Sequence, residues 1–206
     1  MAICANLTHN LYLQDCNNPL TPGVDGSNGY IINYDDIDLD SCTISTDRVI
    51  SALVLKTGKF AYRIQTDPDG IEPVWKYEPG AYRRDQVSMM MAIKIFDNST
   101  TVKKRIVDIS KGKFVVVLEN NGIKNNPTAP EVKGDNKYEA WGWDTGLVIG
   151  GETQRDANDA DTGGGINLQL TTSEKKKENG PPYSIFITSL TATEAMLEAL
   201  INTLSP

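Results

Sequence analysis

Few side chains in this sequence are of a type and spacing that could do chemistry, and His9 comes first because it is the only histidine. It has no Ser, Cys or carboxylate partner at a motif spacing, so a thiol–imidazole pair would need Cys4 or Cys16 to meet it in space. The plainer reading is a surface or interface histidine. Asp156, Asn158, Asp159, Asp161 and Gly163 gather hard oxygens in one segment, as a calcium loop requires. A loop of calcium-binding length counted from Asp156 ends on Asn167 instead of a bidentate Glu, and its sixth position is Asp161, not Gly. That segment reads as a polar loop facing solvent or a neighbouring subunit.

Gly163-Gly164-Gly165 lacks the following Lys-Ser or Lys-Thr of a phosphate cradle and precedes a strand pattern, so it reads as a flexible strand entry. Asp35, Asp36, Asp38 and Asp40 offer paired carboxylates for acid–base work, but no apolar setting surrounds them that would raise a pKa. They are expected to form a solvated acidic edge. Trp141 and Trp143 share one parity of an extended segment and could stack on sugars or bases, against a default of core or interface packing. No catalytic, cofactor-binding or metal-binding residue is assigned on these grounds, and no enzymatic activity is expected.

The elements that would position these groups are mainly strands. Residues 14–29 hold Pro19, Pro22, Gly23, Gly26 and Gly29 and read as a long loop or arm, followed by a short strand over 30–33. Residues 48–55 and the alternating Phe60, Tyr62 and Ile64 predict a hairpin around Thr57-Gly58-Lys59. After a turn at Asp67-Pro68-Asp69-Gly70, the stretch through Pro73, Trp75, Pro79 and Gly80 reads as irregular, with aromatics that need shelter. Residues 87–96 predict a strand buried on both faces, with a helix as the competing reading.

Val102, Ile106 and Ile109 at helical spacing predict a short helix capped by Ser99 or Thr100 and stopped by Gly112. A buried strand is expected over 114–118, and further strands over 138–143, 146–149, 166–171 and 183–188. Long polar loops are expected over 121–137 and 150–165. The chain ends in an amphipathic helix over 191–204, with a Thr191–Glu194 capping box and a stripe of Met196, Leu197, Leu200, Ile201 and Leu204. The fold class is therefore mainly β (α+β): two packed antiparallel sheets or a barrel-like sandwich in one domain, with one internal and one C-terminal helix.

Composition narrows the class further. With 39% hydrophobic and 23% charged residues the chain reads as a folded globular protein. Its formal charge of −7 argues against a general binder of nucleic acid, whose affinity comes from Lys and Arg. The runs Lys103-Lys104-Arg105 and Lys175-Lys176-Lys177 read as solvated surface. No apolar run is long enough to span a bilayer and no signal-peptide pattern opens the sequence, so the chain is expected to be made and kept inside a cell. Cys4, Cys16 and Cys42 never form Cys-x-x-Cys and are taken as reduced thiols.

Several stretches are spread over the chain: Cys16-Asn17-Asn18-Pro19-Leu20 through Gly23, Tyr34-Asp35-Asp36-Ile37-Asp38, Val49-Ile50-Ser51 through Lys56-Thr57-Gly58-Lys59, and Val117-Leu118-Glu119-Asn120. Later pieces are Gly142-Trp143-Asp144-Thr145-Gly146-Leu147 and the Asp161-Thr162-Gly163-Gly164 entry to a strand ending Thr172-Ser173-Glu174. Together they resemble virion structural proteins of tailed phages that infect gut Bacteroidales, the tail-tube type in particular. The resemblance implies a subunit with two packed sheets and a helix between strands. It also implies a hexameric ring that contacts other virion proteins, passes DNA without sticking to it and is assembled in the host cytoplasm. It carries no active-site residues. A capsid auxiliary or decoration protein is the alternative within the structural class, and a carbohydrate-binding or hydrolytic β-sandwich is the alternative outside it.

Overall fold

The structure, a computed structural model, describes residues 23–67, 69–79, 85–121, 137–160 and 163–201. Its strands, in chain order, are β1 (Val24–Asn33), β2 (Thr43–Ile44), β3 (Val49–Ala52), β4 (Tyr62–Ile64), β5 (Ile71–Tyr77) and β6 (Val87–Ile95). They continue with β7 (Phe114–Asn120), β8 (Tyr138–Trp141), β9 (Leu147–Ile149), β10 (Ile166–Thr172) and β11 (Tyr183–Ile185). The helices are α1 (Thr100–Ile109) and α2 (Leu190–Ala199). The fold is mainly β, with one helix between strands and one near the end of the chain.

The strands form one branched sheet in the order β2-β3-β11-β8-β7-β9-β10-β6-β5, with β1 on the other side of β7 and β4 outside β1. That path does not close into a barrel, and β3 runs parallel to β11, so the sheet is mixed. Buried residues form two clusters, and β7 contributes to both. Phe114 to Leu118 are all buried, as a β-branched run between two apolar layers should be. Val115 and Val117 enter a first core with Tyr30, Ile32, Ile50 and Leu197, whereas Val116 and Leu118 enter a second with Met89, Met91, Leu168 and Leu170. The period of two in a strand sends alternate residues to opposite cores.

Several sequence expectations change here. Residues 24–29 belong to β1, not to a loop, because two of their glycines serve close packing. A Cβ on Gly26 would lie 2.2 Å from the carbonyl oxygen of Asp67, and one on Gly29 would touch Ile64 and Leu118 at 3.4 Å. The hairpin expected around Thr57-Gly58-Lys59 does not form. Lys59 N does close a turn onto Lys56 O at 3.0 Å, but β3 pairs with β2 and β11 while β4 pairs with β1. The expected alternation in the second strand holds only in part: Ile64 packs on the second core and Arg63 is exposed, but Ala61 is buried while Phe60 and Tyr62 are exposed.

The stretch read as irregular is the strand β5, paired along its length with β6. Strand β6 is a strand as expected, but only Val87, Met89, Met91 and Ile93 are buried, and Met90 on the other face is exposed. Helix α1 begins where expected, with the Ser99 hydroxyl accepting from Val102 N. Helix α2 is capped instead by Ser189, whose hydroxyl accepts from Ala192 N, and it ends at Ala199. Ile201 has already left the helix and forms a parallel bridge to Ala61, while Leu204 lies outside the described residues. The capping box fails because Glu194 turns toward Lys137.

Candidate functional site

Two surfaces could carry function: a polar cleft beside α2 and the outer edge of β5. The cleft, about 500 Å³, lies between the end of β7, the start of β8, strands β1 and β4, and α2. Lys137 Nζ donates to Glu194 at 2.8 Å and to Glu119 at 3.1 Å, and the Tyr138 hydroxyl lies 3.2 Å from Glu119 and 3.3 Å from Glu194. Across the cleft the Tyr30 hydroxyl donates to Glu198 at 3.1 Å, and Arg63 pairs with the same carboxylate.

Burial pushes both phenols well above the ordinary tyrosine range, and the neighbouring carboxylates push them further in the same direction. They remain hydrogen-bond donors at any physiological pH. Burial alone would lower Lys137, but Glu194 and Glu119 outweigh it and raise its pKa, so it stays a cation. No group here is poised as a neutral amine or a phenolate. What the arrangement does is tie α2 to the sheet through charges that satisfy one another.

A second polar knot fixes the link between β8 and β9. The fully buried Glu178 carboxylate accepts from Asp144 N at 2.8 Å, Thr145 N at 3.0 Å and the Thr145 hydroxyl at 2.7 Å. Burial raises its pKa, and these hydrogen bonds only partly oppose that. The Asp144 carboxylate accepts from Asn179 N at 2.9 Å and from the Tyr183 hydroxyl at 3.0 Å, and the Arg48 guanidinium sits 3.7 Å over the Tyr183 ring. The run Lys175-Lys176-Lys177 is not wholly solvated, because Lys177 reaches Glu78 at 2.9 Å and Ser88 at 3.1 Å. Hydrogen bonds from Lys76 and Lys177 hold the Glu78 carboxyl at about 2.

The β5 edge has a different character. Lys94 N donates to Gly70 O and Glu78 N donates to Gln86 O, so alternation turns the backbone of Glu72, Val74 and Lys76 toward β6. The backbone of Pro73, Trp75 and Tyr77 then faces outward. Pro73 is tolerated because the N–H it lacks would have pointed to solvent. No strand among the described residues pairs with this edge. Val74, Trp75 and Tyr77 are 48%, 42% and 54% exposed, and the two rings meet edge to face at 5.8 Å. The sequence signal is an alternation of apolar residues at 71, 73, 75 and 77, within a stretch whose prolines and glycine make it read as irregular.

The candidates singled out from sequence are scattered. His9, Cys4, Cys16 and Asp161 lie outside the described residues. Trp141 and Trp143 do not share a face: Gly142 at φ +77° breaks the strand between them and sends Trp141 to the second core and Trp143 to the first. Each is 3% exposed, so neither can stack on a sugar or base. In the acidic run, burial alone would raise Asp36, but hydrogen bonds from Lys59 and Asn33 outweigh it and lower its pKa. Asp156 is exposed and caps its own turn through Asn158 N at 2.9 Å. Among the described residues no three His, Cys, Asp or Glu side chains converge as a metal site. Cys42 is a half-buried thiol whose pKa burial pushes up.

Within the 150–165 loop, Gln154 bridges Asn167, and the Arg155 side chain donates to Gly164 O at 3.0 Å. No described helix is long and apolar enough to cross a membrane. The chain matches no family model, no curated protein and no solved structure.

Proposed function

We propose that this chain is a structural subunit of a tailed-phage virion, of the tail tube or a tail ring, whose work is assembly with copies of itself. The observation that carries the reading is the β5 edge: a seven-residue strand, unpaired among the described residues on its outer side, with Val74, Trp75 and Tyr77 exposed together. Unpaired edges of this kind are templates for pairing with another chain, and soluble proteins normally blunt them. The residue stretches that resemble tail-tube proteins support the same reading. So does the polar cleft, whose charged groups are occupied in holding α2.

In this reading a hexameric ring leaves a channel for DNA, and the formal charge of −7 per copy disfavours a sticky basic lining. The virion is where it acts, after assembly in the host cytoplasm. Electron microscopy of the purified protein at increasing concentration is the test, with six-fold rings or tubes as the expected result. Particles without a channel would move the assignment to the capsid, and a monomer at every concentration would remove it.

A further inference from the structure

Among the described strands, the sheet has three outer members of very different length. Strand β2 has two residues and β4 has three, and Ala61 beside β4 already bridges Ile201. Strand β5 has seven. The one described margin that matches it in length is β5 of a second copy.

The pattern along β5 is complementary to itself. By the alternation given above, the backbone of Ile71, Pro73, Trp75 and Tyr77 faces outward, so an antiparallel copy must set outward residues against outward residues, and its registers differ in steps of two. Centring the pair on Val74 uses the whole strand. Ile71 then lies against Tyr77 and Pro73 against Trp75, so both exposed rings leave solvent. On the other face, Glu72 of each copy lies against Lys76 of the other. Glu72 already pairs with Lys94, and Lys76 with Glu78, each at 2.9 Å. The contact thus completes two rows of alternating sign, Lys94, Glu72, Lys76 and Glu78. Between them Val74 meets Val74, beside the exposed Met90 that stands opposite it on β6.

The neighbouring registers lack this match. A slide one way sets Glu72 against Glu78, and a slide the other way sets Pro73 against Pro73, where neither residue has an N–H to donate. A parallel pairing in register lines up Glu72 with Glu72 and Lys76 with Lys76.

We infer that β5 pairs antiparallel with β5 of a second copy, about a two-fold axis through Val74, and so joins two sheets into one. The inference rests on the assembly reading and deepens it by naming surfaces that meet. A two-fold contact joins copies in pairs, so a ring needs a further, head-to-tail contact elsewhere.

Glu72→Lys and Lys76→Glu each set like charges across both pairs, and each should weaken self-association in sedimentation equilibrium about tenfold. Mixed one to one, the two variants regain opposite charges in both pairs of a heterodimer, and most of the association should return. Val74→Cys places two thiols on the axis in a non-hydrogen-bonded pair, whose Cα atoms about 4.5 Å apart suit a disulfide. Mild oxidation should link copies of this variant severalfold faster than the wild type or Trp75→Cys.

Single charge variants that associate as the wild type does, or a mixture no stronger than its parts, overturn the pairing. Trp75→Cys linking as fast as Val74→Cys marks another register and overturns it too. Six-fold rings that form undiminished in Glu72→Lys keep the tail reading and remove this contact. Dimers restored by mixing, with no rings at any concentration, keep this contact and remove the tail reading. A monomer at every concentration removes both.

Discussion

The two faces of β7 look into cores that are finished in different ways. On the first, α2 closes the layer, with Leu197 fully buried and Glu194 and Glu198 tied to Lys137 and Arg63. On the second, the layer ends at β5, where Trp75 and Tyr77 leave the core for solvent. A helix satisfies its own backbone, so charged side chains along one flank are enough to seal its margin. A strand does not, and the outer backbone and apolar side chains of β5 face no other strand among the described residues. The difference separates a margin closed within the chain from one that, in the proposed assembly, is left for another subunit.

The sharpest way to break that comparison is to truncate one residue from each margin. Leu197→Ala should cost about 2–5 kcal/mol in urea unfolding, through lost burial and a cavity. Trp75→Ala should cost less than Leu197→Ala, since 42% of the Trp75 surface already lies in solvent and its removal leaves no enclosed cavity. Equal losses would mean that the two margins are alike. Next in size is Gly26→Ala, whose Cβ would strike the Asp67 carbonyl and cost about 1–3 kcal/mol. A neutral result in thermal melts would show that β1 can move away.

Lys137→Met should cost about 1–2 kcal/mol, discounted for the partial exposure of its partners, because Glu119 and Glu194 lose their shared cation. A double-mutant cycle with Glu194→Gln checks it, and strictly additive losses would show no coupling. A subtler effect is the pH dependence set by Glu178. Its folded pKa is raised, so the native state binds its proton more tightly than the unfolded chain does. The contribution is fully present below about pH 4.3, the unfolded value, and is lost as pH rises through the folded value. Stability of the wild type relative to Glu178→Gln should therefore fall on raising the pH, and parallel pH profiles would contradict this. Smallest of all, Asp156→Ala should stay within about 0.5 kcal/mol, because only an exposed turn loses its cap.

What the sequence made legible follows from how local each cause is. The Ser99 cap, the Val102-Ile106-Ile109 spacing and the 114–118 run rest on neighbours in the chain, and each element stands where its pattern puts it. Gly26 and Gly29 were misread because their use, close approach to Asp67 and Ile64, involves residues far along the chain. The same holds for the 48–64 segment: its turn is local, but the partners of β3 and β4 are β11 and β1. At the candidate site, the composition of β5 was visible while its position at an edge was not, and that position is what makes Pro73 compatible with a strand. The Glu178 knot had no signal at all, since a lone Glu in a charged link looks solvated until the fold buries it.

The position of β7 also bears on how the chain folds. Its pairing with β1 joins Tyr30 to Val117 and Asn33 to Phe114, contacts that close very long loops before any reward is gained. Folding should be slow for a chain of this size, and the rate-limiting step should include docking of that strand. Because both apolar layers lose a wall if β7 leaves, neither can melt while the other persists. Heating should accordingly give a single calorimetric transition, and the amides of Val115 to Leu118 should exchange with solvent only through global opening.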